Sequence, residues 1–222
     1  MSEALYNILI KGGSWQTILG GLWVTIQISA ASLALGTLLG AAVCLLRMSR
    51  SKLLSTSARI YISIIRGSPV LMLLMLLFYG VLAGSGLKPL TVAIVTFSMH
   101  TAAHVAELIR ASVMAIDHGQ VEAARTLGFS RLQAFRLIAL PQIVRIARPV
   151  YQSTIVNLIQ WTSVVGYVTI TDLTRVINNT ASRTMEPLLT ITIGMLIYLS
   201  LSYVVYGIFA LTGGSNDEHN RG

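Results

Sequence analysis

Polar side chains with the types and spacing to do chemistry fall in separate short stretches of this 222-residue sequence. His100, His104 and Glu107 recur at helical intervals, so a helix sets them on one face. His-x-x-x-His is a spacing that can hold a metal, but no clear third ligand stands with it, and no metal site is assigned. Arg110, three residues past Glu107, makes an ordinary helical ion pair. Ser153, Asn157, Gln160 and Trp161 also share one helix face, with Thr162, Ser163 and the helix-loosening Gly166 after them. Polar groups inside an apolar segment are costly, which makes them candidates for a substrate passage. Their bland reading is hydrogen-bonding glue between packed helices. No convincing nucleophile–base pair or metal cluster occurs in the polar segments, so the chain is not read as an enzyme. No G-x-x-x-x-G-K-[ST] phosphate loop occurs either, so it cannot hydrolyse ATP by the usual means.

The elements that must carry these groups are set by composition. Hydrophobic residues make up 54% and charged residues 11%, where a soluble domain carries about 25% charged residues. A bilayer crossing needs about 20 mainly apolar residues. Segments near 17–46, 61–83, 90–115, 150–170 and 188–211 qualify, the third and fourth being the least clean because both hold polar residues. The expected fold is an all-α integral membrane protein of about five transmembrane helices, one domain over 1–222. All the Lys and Arg residues fall on one side of this arrangement except Lys11, Lys88, Arg175 and Arg183. The positive-inside rule then puts the N-terminus outside and the C-terminus in the cytoplasm, in agreement with an odd number of spans. The net charge of +8 is thus explained by topology, and no nucleic-acid partner is expected. Cys44, the single cysteine, lies in an apolar run and reads as a buried small hydrophobe. Glu3 and Lys11 precede an apolar run too long for a cleavable signal peptide. The tail from Gly213 to Glu218 reads as disordered.

One non-membrane segment is long, about 117–142. Val121 to Leu127 are good helix formers, and Gly128 can take the left-handed conformation that ends a helix. Ser130 with Gln133 forms a capping box for a second helix, which Pro141 discourages from continuing. Ala123, Ala124 and Leu127 give the first helix a small apolar face; Phe129, Leu132, Phe135 and Ile138 give the second a stripe. Two short helices at a bend serve equally as a connection lying on the membrane surface or as a docking element. The short tethers to two spans argue against a DNA-reading helix-turn-helix.

The segment Glu122-Ala123-Ala124, three residues, Gly128, nine residues, Ile138-Ala139-Leu140-Pro141 meets every fixed position of the EAA loop of ABC-importer permeases. The chain resembles the polar amino-acid permeases of the histidine and glutamine type. Gly21-Leu22-Trp23-Val24-Thr25, Arg66-Gly67-Ser68-Pro69, Gly119-Gln120, Thr162-Ser163 and Ala181-Ser182-Arg183-Thr184 extend the resemblance over about residues 20–210. It implies a type I importer permease in the bacterial inner membrane, carrying polar amino acids by alternating access. The implied partners are a dimer of cytoplasmic ATPase subunits holding ATP and Mg, an extracytoplasmic amino-acid-binding protein, and a second copy or a related permease. Glu122, Ala123, Ala124 and Gly128 would form the coupling helix that docks in the ATPase. Ser153, Asn157, Gln160, Trp161, Thr162, Ser163 and His104 would line the pathway. Many members have Lys-Asp before the Thr-Ser pair where Gln160-Trp161 stands, so a carboxylate for a cationic side chain is missing there; Trp161 could stack over an ammonium. The alternative is a small secondary transporter or channel that works without an ATPase.

Overall fold

The computed structural model describes residues 2–10 and 13–213, and every described element is helical. The expected disordered tail falls outside them from residue 214 on, as do Lys11 and Arg221. In chain order the α-helices are α1 (Ser2–Leu9), α2 (Ser14–Arg47), α3 (Lys52–Gly67), α4 (Val70–Met75), α5 (Pro89–Met114), α6 (His118–Thr126), α7 (Arg131–Ala134), α8 (Leu140–Trp161), α9 (Leu173–Thr184) and α10 (Pro187–Gly213). Wider π turns extend α4 over Leu76–Val81 and join α7 to α8 over Phe135–Ala139; a 3-10 segment, Thr162–Val168, follows α8.

Among the described residues α2, α5 and α10 are long and apolar enough to cross a bilayer. At 34 residues, α2 is about 50 Å long, more than the roughly 30 Å hydrocarbon core requires. The second expected span does not start at Tyr61 as one unbroken helix. α3 runs to Gly67, and helix resumes only at Val70, beyond a break at Ser68 and Pro69. The interruption follows from Pro69, which sits extended at φ −60°, ψ 129° as the N-cap of α4. Proline lacks an N–H to continue the ladder and pushes its predecessor out of helical geometry. The fourth expected span, 150–170, is not one continuous α-helix. It comprises the part of α8 that follows Pro149 and the 3-10 segment, which ends on Thr169 in the left-handed region at φ 66°.

The described chain groups into two compact units. One comprises Met1–Ala34, Ser68–Ser98 and Ile155–Gly222. Its core gathers Ile28, Leu74, Phe97, Leu158, Val165 and Val168, all fully buried. A second cluster sets Ile18 of α2 against Leu173, Val176 and Ile177 of α9. Gly21 is the point of closest approach there: a Cβ on it would lie 2.8 Å from Val176 Cγ2 and 2.9 Å from the Asp172 carbonyl oxygen. The other unit comprises Leu35–Gly67 and Met99–Thr154. Cys44 is buried there against Ile62 and Ala106, as a small hydrophobe. Gly40 lets α2 touch α5, since a Cβ on it would stand 2.7 Å from Val105 Cβ and 2.9 Å from Ala102 O. Lipid tails are as apolar as leucine, so such contacts hold through close packing and hydrogen bonds more than through a hydrophobic drive. Hydrogen bonds of that kind include one that Thr37 and Tyr151 share at 2.8 Å and one that Tyr61 Oη donates to Met99 O at 2.7 Å.

Candidate functional site

The bend between α6 and α7 is built by local hydrogen bonds. Asp117 caps α6, its carboxylate accepting from Gly119 N at 2.9 Å. The helix closes when Phe129 N donates to Ala124 O and Gly128 N to Arg125 O, both at 3.2 Å. This is a Schellman motif, which needs a left-handed residue at the Gly128 position, and Gly128 sits at φ +90°. Two residues on, Ser130 Oγ accepts from Gln133 N at 3.2 Å, and Gln133 Oε1 accepts from Ser130 N at 2.8 Å, completing the capping box. The expected stop at Pro141 is not observed, because the chain stays helical from Arg131 through Trp161. The π turn before Leu140 releases the tight backbone ladder, and Pro141 falls in the first turn of α8, where its missing N–H costs little.

The bend is anchored from one side and open on the other. Ile116, Ala139 and Ile143 form a buried cluster with Val113 and Val121, and Gln142 Nε2 donates to Gln120 Oε1 at 3.0 Å. Ala124 is buried, whereas Glu122, Ala123 and Gly128 are exposed. Leu127 and Leu132 are 80% and 65% exposed, an outward apolar surface. Ala124 therefore packs the helix down, and the apolar face presented outward is carried by leucines.

The polar residues around the end of α8 separate by environment. Asn157 and Gln160 are exposed, Ser163 is half-buried, and Trp161 packs against the Phe97 core. Thr162 is fully buried, its hydroxyl donating to Ile159 O at 2.6 Å. Gln160 and Ser163 come together with Met195, Tyr198, Leu199 and Ser202 of α10 around an open-sided cavity of about 330 Å³. Ser153 belongs to the other unit, exposed, its hydroxyl donating to Pro149 O at 3.1 Å. His104 is in that unit too, its ring centroid 4.9 Å from that of the buried His100. One turn further along α5, Glu107 is ion-paired with Arg110, whose Nε donates to it at 3.0 Å.

A further polar network escaped the sequence reading. Asp172 is fully buried and caps α9, its carboxylate accepting from Thr174 N at 3.0 Å and Arg175 N at 3.1 Å. Tyr198 Oη donates to it at 3.5 Å and shares a 2.9 Å hydrogen bond with Thr174. Thr25 Oγ1, on α2, accepts from Leu173 N at 3.3 Å. Asp172 ahead of an amphipathic run, with Leu173, Val176, Ile177, Thr180 and Ala181 on its buried face, is the helix-start signal that could have revealed α9. Burial raises the Asp172 carboxyl above its ordinary value and outweighs the backbone N–H groups of Arg175 and Thr174 that pull it down. A raised folded-state value means that the stability it contributes is present below the ordinary carboxylate range and is lost as pH rises through the raised value. Asp172→Asn keeps an acceptor for the cap and removes the charge. The wild type is expected to lose thermal stability relative to this variant as pH rises through and above the carboxylate range, in melting curves of purified protein. Parallel curves for the two proteins would show that the carboxyl does not carry the effect.

Comparison with known proteins adds to this geometry. The family model for binding-protein-dependent transport system inner membrane components matches residues 32–212. The chain is 36% identical over 172 residues to the probable amino-acid ABC transporter permease protein YckA of Bacillus subtilis (strain 168), covering 77% of this chain and 76% of that one. It is 31% identical over 219 residues to the nopaline transport system permease protein NocM of Agrobacterium fabrum (strain C58 / ATCC 33970), covering 94% and 91%. A crystal structure of an amino acid ABC transporter with histidines aligns with a TM-score of 0.80 at 29% identity, covering 89% of this chain and 92% of that one.

Proposed function

The chain belongs to the family of binding-protein-dependent transport system inner membrane components, and from that premise we propose how its residues divide the work of import. It is a multi-pass membrane protein and the permease subunit of an ATP-driven amino-acid importer; ATP is hydrolysed on a separate subunit. Permeases of this family work with an ATPase, a substrate-binding protein and a second permease. No finding favours the alternative of a small channel or secondary transporter.

In our reading the two-helix bend is the coupling element. Glu122 offers a carboxylate to polar or basic groups on a dimeric ATPase that holds ATP and Mg, Ala123 permits close approach, Ala124 packs α6 down, and Gly128 fixes the angle. The observation that carries this is the combination of a locally locked bend with outward Leu127 and Leu132. A lever must be stiff to transmit a displacement, and an exposed apolar face gains by being covered. The charge distribution supports an outside N-terminus and a cytoplasmic C-terminus in the inner membrane, with one permease domain over 1–222 and crossings near 17–46, 61–83, 90–115, 150–170 and 188–211. A homodimer or a pair with a related permease encloses the pathway, since five crossings are too few to do so alone. Asn157, Gln160 and Ser163 line it; Trp161 and Thr162 back them. Ser153 and His104 are candidates elsewhere along it.

The test is reconstitution of the purified chain in proteoliposomes with its ATPase and an extracytoplasmic amino-acid-binding protein. Uptake of labelled amino acid is expected only with all components and ATP inside the lumen that corresponds to the cytoplasm. Uptake without the ATPase would overturn the reading in favour of a secondary transporter or channel. In the same assay Asn157→Leu is expected to lower uptake severalfold; an unchanged rate would remove Asn157 from the pathway.

A further inference from the structure

We propose that the cavity between the end of α8 and α10 selects amino acids with uncharged side chains over cationic ones, with Gln160 as the residue that sets the preference. This deepens the permease reading and rests on it.

The lining carries no formal charge: Gln160, Ser163 and Ser202 are polar, Met195 and Leu199 are apolar, and Tyr198 presents a phenol. These groups are not equally available. Ser202 Oγ donates back to Tyr198 O at 3.0 Å, and the Tyr198 hydroxyl is held by Thr174 and Asp172. Neither the Gln160 amide nor the Ser163 hydroxyl has a hydrogen bond to another described residue. The cavity therefore offers a ligand one amide, able both to donate and to accept, and one hydroxyl. Met195 and Leu199 provide an adaptable apolar contact beside them.

The neighbouring ionic groups are occupied elsewhere. Asp172 lies behind Tyr198, fully buried, with its oxygens accepting from two backbone N–H groups and the phenol. Arg175 donates to Gly166 O at 3.0 Å. A cationic side chain entering this cavity would give up water and find, among the described residues that line it, no carboxylate to pair with, a heavy penalty in a low-dielectric setting. A neutral polar side chain exchanges its water for the Gln160 amide at little cost. Trp161 is half-buried and packs against the Phe97 core, which limits the cation–π contact it could otherwise give. At about 330 Å³ the cavity has room for a single amino acid.

The experiment measures equilibrium binding of labelled L-glutamine and L-arginine to the permease–ATPase complex in nanodiscs, without the extracytoplasmic binding protein, so that only selection within the membrane is read. Wild type is expected to favour glutamine. Gln160→Glu is expected to move the glutamine-to-arginine ratio toward arginine by about tenfold or more, the scale of one partly desolvated ion pair. Ser163→Asp places a carboxylate in the same cavity from a second position and is expected to move the ratio the same way, so the idea does not depend on one variant folding. An arginine preference in wild type, no binding of either amino acid, or a ratio that neither carboxylate moves overturns the inference. ATP-driven uptake by the reconstituted importer is measured in parallel. If uptake proceeds while the ratio stays fixed, selection by this cavity fails alone; if no amino acid is taken up, the permease reading fails and the inference with it.

Discussion

Gly128→Asp is expected to reduce ATP-driven uptake by about tenfold or more while leaving the membrane helices folded and the ATPase able to hydrolyse ATP. Gly128 sits at φ +90° with no atom within 4 Å of where a Cβ would be. A side chain there meets no steric obstacle; what it disturbs is the backbone conformation. Left-handed geometry costs an L-residue roughly 1–2 kcal/mol, and aspartate relieves it by rotating the backbone away from the Schellman arrangement. Because the capping box begins only two residues later, the rotation changes the direction in which α7 leaves α6. About 1.4 kcal/mol corresponds to a tenfold change in an equilibrium, so a strain of this size is enough to depopulate the docked state. The measurement is amino acid transported per ATP hydrolysed in proteoliposomes. Wild-type uptake by the variant would end the coupling role assigned to this residue.

A large effect of the opposite kind, on stability alone, is expected at Gly40. The contacts waiting for its Cβ are a branched side chain at 2.7 Å and the Ala102 backbone oxygen at 2.9 Å, neither of which can move aside without separating α2 from α5. Overpacking a tight contact typically costs about 1–3 kcal/mol, and Gly40→Leu, which adds a whole side chain at backbone contact, is expected to reach or exceed the upper end. For a chain of this size each kcal/mol shifts the melting temperature by about 2–4 °C, so a loss of roughly 10 °C, or failure to purify as a monodisperse species, is the expected result. Gly20 is the control on the same helix: nothing lies within 4 Å of its Cβ position, and Gly20→Ala is expected to leave the melting temperature unchanged or raise it slightly. A melting temperature that Gly40→Leu leaves where Gly20→Ala leaves it would show that the close contact between α2 and α5 is not what Gly40 preserves.

The sequence by itself determined what depends on neighbours a few residues away. The apolar runs of α2, α5 and α10, the left-handed glycine after α6 and the Ser130–Gln133 capping box are all local, so residue type and spacing are enough to place them. The EAA spacing is local too, and it carries the resemblance to ABC-importer permeases without reference to any contact. Only the tertiary structure decided which face of each helix is covered. Thr162 and Ser163 are adjacent and chemically alike, yet one is sealed in the core while the other reaches a cavity, because Leu158 and Val165 hold the turn between them against α2 and α5. Asp172 became part of a buried network through Thr25, whose hydroxyl meets the adjoining backbone from 148 residues away. The continuation of helix through Pro141 depended on a π turn that no propensity announces. Local hydrogen bonds are encoded where they form; burial is encoded jointly by segments far apart in the chain, and the folded packing is what brings them together.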